Sequence, residues 1–572
     1  MKTRIDTWLV AITTLVLVGG LATPALAVHF ESTLLETRLE EARSENAGNE
    51  DSGNENSEDS PPEPGLELIE TEPEEIVIPR IDIPEIQAQL PVLPVWNDAQ
   101  RLELVDALLD ASSHGFPAQD ALALSLMDDT GTLAERQDAA NAAYLRLASW
   151  LRFGLMDQET RLPRRYTAGE GQVLIDNLEQ ALRGEAGVTA ALTAMQPPVR
   201  DYDLLRAEMV RLQSVRPIWT GIDPGEALLP GMDGPRVDQL RARLSAEGLL
   251  RAHWQPGDVF DAVLDTAVRR FQGRVNLAPT GRVDRDTLRQ LNMTPEDRMA
   301  QLRLNLEQRR WRSRDLGDRH IWVNLADFRL EAWSNGQLER VHQVMVGREA
   351  SSTPEFSEEM QYLVINPWWG IPGGAARARF RSIRRNPGLV REYGFRLSDG
   401  QGYPISVYDI DWSRWGTRSW NYRIAQPPGP DNPLGEIKFI FPNRHNVYIH
   451  DTIERSEFIR TRRDFSAGCI RVEDPFALAE WVLNGQDGWT EESVTETAAG
   501  RNPRVVWLDQ RLPVHLSYWT VVGDDEGGVR YLNDLYDRDE ASMRGLVAVF
   551  DSLSRETGNE NYVGQSPVTA LH

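Results

Sequence analysis

At about residue 318 the hydrophobic period of this 572-residue chain changes, and the change divides what can fold before it from what can fold after it. Upstream, apolar side chains recur every three or four residues: Leu102, Val105, Leu108 and Leu109, then Ala121, Leu124 and Leu126, then Ala143, Leu145, Leu147 and Leu151. That interval puts them on one face of a helix. Downstream, short β-branched or aromatic runs at 320–325, 328–333, 341–346, 361–365, 436–441 and 446–450 are separated by Gly, Asn and Pro. Such runs read as strands. A chain of this length with two periods does not share one core, so the expected class is multidomain α+β.

The boundaries follow from composition and punctuation. Residues 1–27 read as a secretory signal, with Lys2 and Arg4 before an apolar run at 8–21 and a small-x-small site at Ala25-Leu26-Ala27. Residues 28–94 are poor in aromatics, and 31–90 hold 18 Asp and Glu against three Arg, so this segment is expected to be a disordered acidic linker. A helical scaffold is expected over 95–231, a compact three-helix unit over 232–293, and one more helix over 294–317 (Leu302, Leu304, Leu306) packing back on the scaffold. A mostly β domain should occupy 318–510, with an insertion at 366–434. That insertion carries a helix at 375–383 and the aromatics Tyr403, Tyr408, Trp412, Trp415, Trp420 and Tyr422. Long insertions beside a site often act as lids. Residues 511–555 should supply closing strands, and 556–572 a loose polar tail.

The net charge of -26 argues against nucleic acid as a partner. Lys2 and Lys438 are the only lysines among 61 basic residues. Cys469 is the only cysteine, so it has no disulfide partner within the chain. In an exported protein an unpaired thiol points toward a working one. It follows Arg460, Arg462 and Arg463 and precedes Arg471, cations that would favour the thiolate. His450, at the end of an apolar run, could be its base. The bland alternative is a small buried cysteine and a structural histidine. For acyl transfer, the backbone N–H groups of Gly468 and Cys469 are candidate oxyanion donors. Ser466 could orient the loop, and Arg471 could clamp a carboxylate or pair with Glu473 or Asp474. Asp451 could orient the imidazole or serve as a turn residue.

His450, Ser466, Gly468, Cys469 and Arg471 together resemble the signature of the L,D-transpeptidase (YkuD-type) catalytic domain, a histidine followed by Ser/Thr-His-Gly-Cys. Ala467 departs from it, standing where many members have a second histidine. Ala267-Val268-Arg269-Arg270-Phe271-Gln272, with Gly281-Arg282-Val283 and Thr287-Leu288, resembles the type 1 peptidoglycan-binding domain. Asn305-Leu306-Glu307-Gln308-Arg309-Arg310-Trp311 and the segment order resemble the large Gram-negative YcbB-like members, in which the 366–434 region would be a capping subdomain. The resemblance implies a peptidoglycan L,D-transpeptidase making 3→3 cross-links between diaminopimelate residues of stem peptides. Cys469 would be the nucleophile and His450 the proton donor and acceptor, D-alanine would leave, and carbapenems would acylate the thiol. No metal or organic cofactor would be needed. Partners would be peptidoglycan stem peptides and glycan, and other wall synthases. The place would be the periplasm, with inner-membrane attachment if the leader is retained. Two alternatives use the same sequence: an L,D-carboxypeptidase or endopeptidase with water as acceptor, and an inactive wall-binding scaffold protein.

Overall fold

The computed structural model describes residues 81–128, 130–184, 187–215, 219–250, 259–524 and 527–557. The expected leader, the linker up to residue 80 and the tail from residue 558 lie outside the described residues. The architecture is multidomain α+β, as the two periods require.

The first unit is helical. Helices Asp98–Leu109, Leu133–Phe153, Ala168–Arg183 and Val188–Met195 bury Leu104, Leu108, Leu145, Leu174 and Leu192 against one another. Their starts are written locally. Thr132 with Glu135 and Thr167 with Glu170 form capping boxes, each satisfying two amide donors that a helix N-terminus leaves open. Residues 81–94, placed in the acidic linker by composition, belong to this unit instead. Ile81 exchanges both backbone hydrogen bonds with Tyr166 (2.7 and 2.8 Å), and helix Ile83–Gln87 buries Ile86. Acid-rich composition concealed three isoleucines spaced to reach a core.

Helices Pro235–Ala246, Ala262–Arg274 and Arg285–Leu291 form the small three-helix unit around Leu240, Leu244, Phe260, Val268 and Phe271. Gln272 is buried within it, donating to Arg282 O (2.8 Å) and Thr287 Oγ1 (3.1 Å) and accepting from Gly281 N (2.9 Å), so it ties the last two helices together.

Helix Pro295–Arg310 differs from its expected amphipathic form. Leu302, Leu304 and Leu306 are buried, but so are Arg298, Gln301, Asn305, Glu307, Arg309 and Arg310. Arg309 pairs with Asp201 (2.6 Å) and stacks on Trp519 (4.0 Å). Arg310 pairs with Glu307 (2.9 Å), donates to Tyr202 Oη (2.9 Å) and stacks on Phe116 (4.1 Å). Asn305 Oδ1 accepts from the backbone of Thr520 and Val521 (both 2.9 Å). The helix is the joint between the scaffold and the β domain.

That β domain is built from β1 (Arg319–Asn324), β2 (Arg329–Ser334), β3 (Gln337–Gly347) and β4 (Phe356–Ile365). It continues with β8 (Ile437–Ile440), β9 (Ile449–His450), β10 (Asp464–Ser466), β11 (Ile470–Val472) and β12 (Arg504–Ser517), after β5 (Trp369–Gly370), β6 (Arg396–Ser398) and β7 (Arg423–Gln426) of the insertion. The nine-stranded sheet runs β10-β3-β11-β9-β8-β4-β12-β1-β2, and β2 also pairs with β3, so the sheet closes on itself around Ile321, Leu330, Leu363, Phe439, Ile470 and Leu516. The insertion has its own core. Helix Gly373–Arg385 packs Phe380 among Trp412, Trp415 and Trp420, against a sheet of order β5-β7-β6. Asn432 Nδ2 donates to Pro367 O (2.9 Å) and draws the two stems of the insertion together.

Residues 511–555 do not simply close the sheet. β12 lies inside it between β4 and β1, while β13 (Val521–Gly523) and β14 (Val529–Tyr531) form a separate hairpin. Residues Arg538–Thr557 are a helix that buries Leu546, Val549 and Phe550 in the scaffold core. Gly545 is central to it: a Cβ there would come within 2.8 Å of Met156 Sδ and 2.9 Å of Arg161 Cβ. A mid-helix glycine weakens a helical reading of the sequence, and here it is the point of closest approach.

Candidate active site

β9 and β11 are parallel neighbours with His450 opposite Arg471 and Ile449 opposite Ile470. The loop Ser466–Cys469 enters β11, and Tyr448 and His450 leave β9 on the face away from the core residue Ile449. Cys469 is half-buried, and its thiol donates to Asn446 O at 3.7 Å. Ile470 N donates to Tyr448 O (3.0 Å), which sets Tyr448 across from Cys469 in the register of the two strands. Burial pushes the thiol above its usual range, against the pull of Tyr448, Lys438 and Arg471. His450 is buried, and its Nδ1 lies 2.5 Å from Asp451 O. A carbonyl can only accept, so Nδ1 carries the hydrogen. Burial and the nearby Arg471 and Lys438 push the imidazole down to about 3, while the Asp451 and Leu434 carbonyls favour its protonated form. Burial thus biases the thiol and the imidazole alike toward their neutral forms.

Each expected site residue has a definite position. Ser466 is buried and bridges the loop, accepting from Gly468 N (3.0 Å) and donating to Cys469 O (2.6 Å). The Gly468 amide is thus directed at Ser466 in this structure rather than at an incoming oxyanion. Gly468 has φ +121°, which L side chains rarely adopt, and Thr353 Oγ1 donates to its carbonyl (2.8 Å). Arg471 pairs with Glu454, not with Glu473 or Asp474, because its strand turns the side chain toward the loop after β9. Asp451 orients the imidazole through its main-chain carbonyl. Its carboxylate accepts from Glu436 N (2.8 Å), Thr452 N (2.7 Å) and Arg455 Nη2 (3.0 Å) and fixes the turn. Ala467 is exposed.

The arginine loop is the correction. Arg460 pairs with Glu457 (2.6 Å) and Arg462 with Asp464 (2.8 Å), while Arg463 donates to Val344 O (3.2 Å), Phe328 O (3.2 Å) and Arg460 O (2.7 Å). These cations are engaged elsewhere. The charges that act on the thiol come from Arg471 and Lys438. Sequence reasoning missed Lys438 and Tyr448, although two signals were present. Tyr448 lies two residues before His450, hence on its face, and Lys438 is the lone lysine among the described residues of an arginine-rich chain.

Residues 318–496 match the family profile described as "L,D-transpeptidase catalytic domain". The chain carries an L,D-transpeptidase catalytic domain. Residues 233–291 match "Putative peptidoglycan binding domain", and residues 91–209 match "Scaffold domain". A curated protein of Haemophilus influenzae named "Putative L,D-transpeptidase" is 29% identical over 268 residues, 46% of this chain and 54% of that one. The chain thus spans about half the length of that relative. A solved L,D-transpeptidase from Xylanimonas cellulosilytica is 14% identical, with 51% of this chain and 98% of that one covered and a TM-score of 0.17. The solved Ldtfm–avibactam carbamoyl enzyme is 11% identical, covering 35% of this chain and 49% of that one, also with a TM-score of 0.17.

Proposed function

We propose that this protein is a peptidoglycan L,D-transpeptidase of the large YcbB-like type, acting in the periplasm and forming 3→3 cross-links between diaminopimelate residues. The observation that carries the reading is the register that sets the loop of the single thiol, leading into β11, against the β9 strand of His450, within an L,D-transpeptidase domain of a chain that also has a peptidoglycan-binding unit.

The chemistry follows from a thiol and an imidazole both biased toward neutrality. Cys469 Sγ attacks the carbonyl carbon between diaminopimelate and the terminal D-alanine, and its proton passes to His450. The imidazolium then has the carbonyls of Asp451 and Leu434 around its ring. His450 returns the proton to the departing amine, D-alanine leaves, and a thioester remains. The side-chain amine of a second diaminopimelate attacks the thioester, its proton passes through His450, and the thiol is restored. With the Gly468 amide held by Ser466, the amide of Cys469 and the Tyr448 phenol are the candidate oxyanion donors. The 366–434 insertion ends three residues before β8, the strand that pairs with β9 at Lys438 and His450, which supports a lid role for it.

Mass spectrometry of the protein incubated with disaccharide-tetrapeptide tests the reading. A cross-linked dimer with free D-alanine, absent in Cys469→Ala, is expected. Tripeptide alone would instead assign hydrolysis, and activity retained in Cys469→Ala would reject the thiol mechanism.

A further inference from the structure

Arginine fills almost every cationic position in this chain, yet Lys438 stands at the centre of the β domain. It lies on β8 opposite His450 of β9, so the two side chains leave the same face of the sheet as Tyr448. It is buried, and its ammonium sits 4.0 Å from the centroid of the Tyr448 ring. Tyr362, Val364 and Ile440 pack around that ring and keep the contact partly out of water. A compact ammonium fits over one ring in such a space, whereas a planar guanidinium with five donors demands more room and more acceptors.

We propose that Lys438 is a positioning residue for the Cys469 nucleophile: its cation, held over the face of Tyr448, makes the Tyr448 phenol a stronger donor to the sulfur and so sets the share of Cys469 present as thiolate. The cation attracts the electron density of the ring, which leaves the phenolic hydrogen more positive. Tyr448 stands across from Cys469 in the β9–β11 register, so its phenol can pass the effect to the sulfur. A desolvated site passes such a charge on with little screening. The same ammonium opposes a proton on His450. Lys438 therefore favours ionisation of the thiol while discouraging an ion pair with the base. Next to this site the register sets His450 of β9 opposite Arg471 of β11, the latter paired with Glu454. Asp451, beside them, is neutralised by Arg455. The inference deepens the acyl-transfer reading by naming what tunes its nucleophile.

Because Cys469 is the only cysteine, alkylation of the full-length protein by iodoacetamide, followed by intact mass across pH, reads this thiol alone. Lys438→Met should move the midpoint of the alkylation profile to higher pH and slow labelling near neutrality by roughly tenfold, about one unit of thiol acidity. Tyr448→Phe, which leaves the lysine in place, should give a similar shift, and adding Lys438→Met to it should add little. Lys438→Arg should recover only part of the profile. Superimposable wild-type and Lys438→Met profiles would overturn the proposal. So would a Lys438→Met shift that persists undiminished in the Tyr448→Phe background. Alkylation does not require acyl transfer, so this result stands apart from the cross-linking assay: loss of either leaves the other readable.

Discussion

Helix Pro295–Arg310 and the Cys469 site both bury polar groups, and they do it in opposite ways. In the helix the polar groups are partnered by other side chains: Arg310 by Glu307, Arg309 by Asp201, and Arg298 by the neutral amide of Gln301 (3.0 Å). In the site the groups are driven to neutrality, the thiol upward and the imidazole downward, beside Lys438 and Arg471. A matched buried pair holds two domains in register because losing either member strands the other. A neutralised pair can exchange a proton when substrate supplies a carbonyl, because no strong ion pair has to be broken first. The joint gains its rigidity from ion pairs and hydrogen bonds that reach other segments, and the site keeps its reactivity by leaving the thiol and the imidazole outside ion pairs.

The sharpest break of this contrast is His450→Gln. Acyl transfer should fall by roughly 10²–10⁴-fold, while iodoacetamide still labels Cys469 at alkaline pH. Single-turnover thioester formation, followed by intact mass, separates the two. Next in size, Glu307→Ala removes the partner of Arg310 and the acceptor of Met156 N (2.9 Å). A loss of about 3–5 kcal/mol in urea unfolding is expected, with the alkylation profile of the folded protein unchanged. The smallest effect per residue is acid sensitivity. His114, His450 and His515 are held neutral, pushed down by burial to about 2, 3 and 4 from an ordinary 6.5. The unfolded chain takes up these protons first, so their stabilising contribution is complete above pH 6.5 and declines as pH falls toward the folded values. By pH 5 each should have lost about 2 kcal/mol. Urea midpoints measured from pH 7 to pH 5 should fall, and His450→Gln should remove one proton's share of the slope.

The period change at residue 318, the helices of the scaffold and most strands were legible because each is encoded within a dozen neighbouring residues. The site's position was legible: His450, Ser466, Gly468, Cys469 and Arg471 lie on β9, β11 and the loop that leads into β11. Its electrostatics were not. Proximity in sequence pointed to Arg460, Arg462 and Arg463, but pairing along their own loop and with nearby carbonyls engages them. The charge that acts on the sulfur arrives from β8, through a sheet register that no local pattern reveals. The polar faces of helix Pro295–Arg310 were hidden for the same reason, since their partners at Asp201, Tyr202 and Trp519 lie in other segments. Glutamate-rich composition likewise masked the ordered start at Ile81.

The return of residues Arg538–Thr557 to the scaffold core has a consequence for the order in which the molecule can be made. Scaffold helices Asp98–Leu109 to Val188–Met195 leave the ribosome early, but the apolar surface meant for Leu546, Val549 and Phe550 stays uncovered until the whole catalytic domain has followed. Contacts closed across so long a stretch of chain form late and leave the early segment exposed to wrong partners meanwhile. A chain interrupted anywhere before Arg538–Thr557 therefore keeps an open seam in the scaffold, whatever the state of its active site.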